Sequence, residues 1–193
     1  MSIQKKKFKK LRKELQYWLS DLEYTEEVLD EWHHKFEEYY REYCKEYRID
    51  IDKLNKENEK KVEEILPSGL ILKPESGTTK FEDRTDEKQF KKVYKQIARK
   101  LHPDIGGEEQ FKEATTALSE KNFEKLLDIC EEHDILVEVD EEINKVIQKQ
   151  IVETKQKINK AKSSYSWKLY ECEENKNCKK DIVKRFLKHL FNY

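Results

Sequence analysis

The stretch QFKKVYKQIARKLHPDIGGEEQFKEATTAL, Gln89 to Leu118, decides the fold. Phe90, Val93, Tyr94, Ile97 and Leu101 recur at three- and four-residue steps, which is one apolar face of a helix. Lys88, Lys91, Lys92, Lys95, Arg99 and Lys100 occupy the remaining faces. Pro103 cannot continue the helix and biases His102 away from helical angles. Gly106 and Gly107 admit conformations that other residues resist. Beyond them Phe111, Ala114, Ala117 and Leu118 form a second apolar stripe. The stretch therefore predicts a helical hairpin with His102, Pro103 and Asp104 at its tip and a basic flank.

All glycines and prolines fall between Pro67 and Gly107. Both flanks lack strong breakers and are dense in Glu, Lys and Leu, so both predict long helices. In the first flank Phe8, Leu15, Leu22, Leu29, Phe36 and Tyr43 recur every seven residues, and Leu11, Trp18, Thr25, Trp32 and Tyr39 do the same. That is an a/d pattern over about five heptads. Tyr47, Ile51, Leu54, Val62 and Ile65 continue it in a shifted register. A single helix from Phe8 to Ile65 would be about 87 Å long. Ser20 and Glu23 fit a capping box and offer a break, with Asp50 and Asp52 as weaker stops.

Residues 66–85 read as a loop-rich linker in which Leu70, Ile71 and Leu72 form a short strand or plug a core. Thr85 or Asp86 would cap the basic helix, Asp86 with Gln89 as a capping box. A short amphipathic helix follows over 119–134, carried by Phe123, Leu126, Leu127 and Cys130. Ile135, Leu136, Val137 and Val139 look extended and could pair with Leu70–Leu72. Ile143, Val146, Ile147, Ile151, Thr154, Ile158, Ala161, Tyr165 and Leu169 give a second long stripe. Asn175 and Asn177 mark a turn before a last helix over Ile182, Val183, Phe186, Leu187, Leu190 and Phe191.

The fold class read from this is all-α: a hairpin combined with long antiparallel helices in a bundle or coiled coil. Four parts are expected: a helical arm over 1–65, the linker 66–85, the hairpin domain 86–134, and an arm over 135–193 that packs on the first.

The charged fraction is 42% and the net charge −1, so no global field favours nucleic acid. No apolar run reaches membrane-spanning length, and no apolar signal core follows the basic start. A cytoplasmic protein is expected. Cys44, Cys130, Cys172 and Cys178 lack zinc spacing, and in that compartment they read as free thiols; Cys172 and Cys178 alone are near enough in sequence to bridge. His33 and His34 point to different helix faces and make a poor metal pair. Trp167 and Tyr170 read as packing residues. The Lys5–Lys13 cluster reads first as a solvated helix end, with contact to anionic membrane or phosphate as the lesser reading. No nucleophile, metal cluster, cofactor site or phosphate loop is legible, so an enzyme is not expected.

Tyr94-Lys95-Gln96-Ile97-Ala98-Arg99-Lys100-Leu101-His102-Pro103-Asp104, followed by Phe111-Lys112-Glu113, resembles the J domain of Hsp40-type co-chaperones. In that family the run is Tyr-x-x-Leu-Ala-x-x-x-His-Pro-Asp, with Phe-Lys-Glu opening the next helix. The resemblance covers roughly residues 86–125, and the HPDxGG turn is similar to the short J domains of some viral and auxilin-type proteins. The chain departs from the pattern in three ways. No first helix with a Tyr-x-x-Leu-Gly start is visible, Ile105 stands where a basic residue is common, and Ala114 and Leu118 replace a larger aliphatic and a Tyr.

The resemblance implies docking on the ATPase lobe of an Hsp70-type chaperone and stimulation of its ATP hydrolysis. His102, Pro103 and Asp104 would be the trigger, and Lys91, Tyr94, Lys95 and Arg99 the electrostatic face, with Tyr94 packing inside the hairpin as the alternative. Ile97, Ala98, Phe111 and Ala117 would be core. The arms would serve client or partner contacts, self-association included. The competing expectation is a structural or scaffolding coiled-coil protein, viral among the settings, with a vestigial hairpin. Host cytosol or virion would be its location.

Overall fold

Helix formers without a breaker make a single rod, α1, from Ile3 to Glu46 in the computed structural model of the chain. The structure describes residues 3–65, 84–105 and 107–191. The others are α2 (Ile51–Ile65), α3 (Arg84–Lys100), α4 (Glu108–Ser119), α5 (Phe123–Glu132), α6 (Glu141–Lys162), α7 (Tyr165–Glu171) and α8 (Lys176–Phe191). Pro103–Ile105 forms a 3₁₀ turn. Among the described residues there is no strand, so the all-α reading holds.

Several local expectations change. α1 runs straight through Ser20, because the heptad stripe on both sides of it is buried and a break would expose that stripe. The stop lies instead at Tyr47–Ile49, where Arg48 takes a positive φ of 54°. The Asp50 carboxylate then accepts from the Lys53 amide at 2.9 Å and starts α2. α3 begins at Arg84, so Asp86 sits in its first turn and pairs with Lys149, where a cap was expected. Ile135–Val139 is an irregular connection, not a strand. Leu70–Leu72, and with them any pairing of that connection, lie outside the described residues. The second long stripe is split between α6 and α7, because the Ser164 hydroxyl accepts from the Trp167 amide at 3.2 Å and opens a new helix. Cys172 and Cys178 are bonded, not free: Asn175 turns the chain between α7 and α8 and brings their Cα atoms to 5.6 Å, within disulfide reach.

The chain forms two compact units, and they do not follow sequence boundaries at 65, 85 and 134. The first takes residues 1–21 and 79–156, the second 22–78 and 157–193. In the first unit, Leu11 and Leu15 of α1 join Phe90, Val93 and Ile97 of α3, Ala114 and Ala117 of α4, and the apolar faces of α5 and α6. Gln4 accepts from Asn144 at 3.0 Å, and Lys155 reaches Glu14 at 3.1 Å, so α6 runs parallel to α1 there. In the second unit, Phe36, Tyr43 and Cys44 pack with Leu169, Ile182, Val183 and Leu187. Phe186 meets Phe36 and Tyr40, while Lys180 reaches Glu46 at 3.1 Å, so α8 is antiparallel to α1. The antiparallel arrangement expected of the long helices thus applies to α8 and not to α6.

Leu15 is 1% exposed and touches the hairpin's own core. Leu15→Ala is expected to lower stability by about 2–5 kcal/mol in urea denaturation, as for other buried Leu truncations. Burial pushes the Cys130 thiol up to about 11, and it raises the Cys44 thiol too. At about pH 8 both should resist iodoacetamide in the native protein and react only once it is unfolded, as read by mass spectrometry.

Candidate functional site: the hairpin tip and its cationic helix

α3 and α4 form the hairpin, and α3 ends where Leu101 donates its amide to Ile97 at 2.8 Å. Pro103 then prevents continuation. The return is tight: the Gly107 amide reaches the His102 carbonyl at 3.4 Å. A Cβ on Gly107 would stand 2.5 Å from the Leu101 carbonyl oxygen and 2.7 Å from its Cα, so only glycine lets the turn close on Leu101, the residue after α3. Gly107 is buried and its φ is −97°; close approach, not left-handed backbone, is what the position requires. Gly106, expected to share that role, lies outside the described residues.

His102, Pro103 and Asp104 are all exposed at the tip. The Asp104 side chain is 86% accessible and that of His102 51%. The His102 Nδ1 stands 3.3 Å from the Asp104 amide and 3.1 Å from its carboxylate. A bare Nδ1 accepts from the amide; a protonated one donates to the carboxylate. Either contact orders the two side chains relative to each other. The His102 ring also meets Phe111 edge-on at 5.6 Å, which ties the tip to α4.

Tyr94 is half-buried and packs along the hairpin. Its ring packs near Phe111, with centroids 6.0 Å apart, and its hydroxyl lies 3.2 Å from the Thr115 Oγ1. Thr115 in turn donates to the Phe111 carbonyl at 2.8 Å. Ile97 and Ala117 are buried as expected, while Ala98 and Phe111 are only partly covered.

The cationic flank divides into spent and unspent charges. Lys91 pairs with Glu87 one turn back and holds that carboxyl below its usual range by hydrogen bonding. Lys92 reaches Glu138 at 3.1 Å and Asp140 at 3.5 Å, and the Glu138 hydrogen bond leads in raising its ammonium pKa. Lys100 donates to the His133 and Asp134 carbonyls at 2.5 and 3.1 Å, a cationic cap on the end of α5. Lys92 and Lys100 therefore fasten α3 to the chain after α5 and leave the open flank. Nothing local in the sequence signals this, because their partners lie more than thirty positions away. Lys95 and Arg99 stay exposed, four residues apart on one helix face. No group of three or more His, Cys, Asp or Glu among the described residues could hold a metal ion.

Gly107→Ala is expected to force the turn off α3 and lower stability by about 1–3 kcal/mol, as overpacking does elsewhere. An unchanged urea midpoint would show that the turn tolerates the methyl group. Comparison with family models, curated proteins and solved structures finds no match to this chain.

Proposed function

We propose that the chain is an Hsp70 co-chaperone. It docks on an Hsp70-type chaperone through the His102–Pro103–Asp104 turn and the cations of α3, and it stimulates ATP hydrolysis there. The observation that carries this reading is the exposed tip: a carboxylate and an imidazole held together on a stiff turn, beside unspent cations on the helix leading into it. Asp104 offers acceptors to an arginine or to backbone amides of the motor. Lys95 and Arg99 attract an acidic lobe and speed encounter. Lys91 can join them only by sharing its charge with Glu87. Tyr94 supports the tip by packing along the hairpin. The J-domain resemblance of Tyr94, Ala98 and His102–Asp104 names the partner class. The cytosol is where this reading sets the protein, with the helical arms meeting clients or partners.

No helix among the described residues is long and apolar enough to cross a membrane.

A steady-state ATPase assay with a cognate Hsp70 tests the proposal. The intact protein should raise turnover, and Asp104→Asn should return it to the basal rate without moving the thermal midpoint. Lys95→Gln with Arg99→Gln should weaken stimulation about fivefold at low salt and less at high salt. A flat response to intact protein, or equal stimulation by Asp104→Asn, removes the co-chaperone reading and favours a scaffold.

A further inference from the structure

Of the four cysteines only Cys172 and Cys178 are joined; Cys44 and Cys130 are buried and unbonded. The joined pair brackets the turn between α7 and α8, six positions apart in sequence. That turn has its own hydrogen bonds. The Glu173 amide donates to the Tyr170 carbonyl at 3.0 Å, and the Asn175 amide to the Cys172 carbonyl at 2.9 Å. The Asn175 side chain accepts from the Asn177 and Cys178 amides at 3.1 Å each and opens α8. Glu173 takes the positive φ, 47°, on which the chain reverses. None of these contacts runs through the S–S bond. In the chain-entropy account, a disulfide closing so short a loop also adds less stability than one closing a long loop.

The two sulfurs have unlike surroundings. Cys172 is 4% exposed and belongs to the core cluster that holds Leu169 and Val183. As a thiol it would still pack there as a small hydrophobe. Cys178 is only half-buried, packed against that core from outside it. It is the third residue of α8, whose first turn holds no acid. A helix N-terminus favours thiolate over thiol at such a position. Over residues 171–181 three lysines stand against four carboxylates, so this bias comes from the helix end and not from net charge.

We propose that Cys172 and Cys178 form a reversible thiol–disulfide pair that exchanges with external disulfides and dithiols, Cys178 as the exchanging sulfur and Cys172 as the resolving one. In the oxidising direction the Cys178 thiolate attacks one sulfur of an external disulfide and expels a thiolate. Cys172 gives its proton to that thiolate and attacks the Cys178 sulfur. The second external thiolate then leaves and takes up the proton first lost from Cys178. Two electrons pass from the cysteine pair to the external disulfide, which becomes two thiols. A dithiol runs the sequence backwards: it attacks Cys178, releases Cys172, and closes into its own disulfide. The hydrogen-bonded turn keeps the two cysteines adjacent in both states, so the bond opens and re-forms without refolding. Cys44 and Cys130 take no part, since burial raises both thiols and shields them. The pair lies in the second unit and does not depend on the co-chaperone reading.

The test equilibrates the full chain, without denaturant, in glutathione buffers of increasing reduced fraction. Samples are quenched in acid, alkylated in urea and read by peptide mass spectrometry. The Cys172–Cys178 bond should open over an intermediate range of ratios and re-form in oxidised glutathione, with the far-UV circular dichroism unchanged throughout. Cys172→Ala leaves Cys178 without a resolving partner. It should collect a mixed disulfide with glutathione at Cys178 about tenfold faster than Cys178→Ala does at Cys172. Should either variant fail to fold, native iodoacetamide labelling of the reduced chain reads the same asymmetry, Cys178 before Cys172. Any of four results overturns the proposal: a bond that glutathione opens only in urea, a pair that stays reduced in oxidised glutathione, loss of helix on reduction, or equal rates at the two cysteines.

Discussion

A two-helix hairpin cannot bury its own apolar face, and the first unit is arranged around that deficit. α3 presents Phe90, Val93 and Ile97, all buried, while α4 answers with only Ala114 and Ala117. Small residues let the two helices approach closely but leave the large side chains of α3 uncovered. Phe123 of α5 fills part of the gap, its ring 4.9 Å from Phe90. Leu11 and Leu15 of α1, with Ile143, Val146, Ile147 and Ile151 of α6, supply the rest. The cover thus comes from segments that precede and follow the hairpin in the sequence. That is why this unit is discontinuous in sequence. Each buried Leu or Ile is worth about 1.5–3 kcal/mol of transfer free energy, so the cover is a major share of the hairpin's stability.

The second unit solves a different packing problem. Its seam is aromatic: Phe36, Tyr40, Tyr165 and Phe186 meet at centroid distances of 5.1–6.3 Å, mostly edge to face. Such contacts are directional and add to area burial. Rings of that size cannot interdigitate at regular heptad spacing, so the seam is irregular. Ser166, itself buried, bonds the His33 Nδ1 at 2.8 Å, so the one His pair in the chain is used for packing on one side. Lys180 is held charged by hydrogen bonds to Tyr47 and Glu46, which closes the end of α8 against the end of α1. The disulfide between Cys172 and Cys178 fixes the short turn that reverses α7 into α8.

Periodicity made the helices legible. Leu11, Leu15, Thr25, Phe36 and Tyr43 are buried on the heptad stripes where the sequence puts them, and Thr25 is as buried as any Leu. Breaks were less legible, because capping residues are common and only the tertiary context decides which are used. Ser20 fits a cap and is ignored; Ser164 and Asn122 cap real starts. Direction was not legible at all. A stripe carries no information on whether its partner runs parallel or antiparallel, so α6 beside α1 could be assigned only from Gln4–Asn144 and Glu14–Lys155. For the same reason, the pairing of Cys172 with Cys178 depends on a turn geometry that composition does not encode. At the candidate site, the tip and its exposure could be read from Pro103 and the glycines, whereas the fate of each lysine could not.

That last point bears most directly on function. A basic helix in a sequence is a count of charges, but a partner feels only those not already neutralised. On α3, Lys92 and Lys100 are drawn into contacts that brace the hairpin, and Lys91 leans on Glu87. On α1, Arg12 is taken by three carboxylates, of which Glu124 is pushed up by burial despite Arg12 beside it. The pair is therefore a structural clamp, costly to desolvate and poorly suited to recruiting a visitor. What remains outward on α3 is Lys88 in its first half, with Lys95 and Arg99 below the tip. Folding has sorted the cations of α3 into struts and free charges, and two of the free ones, Lys95 and Arg99, stand on the helix that leads into the rigid turn.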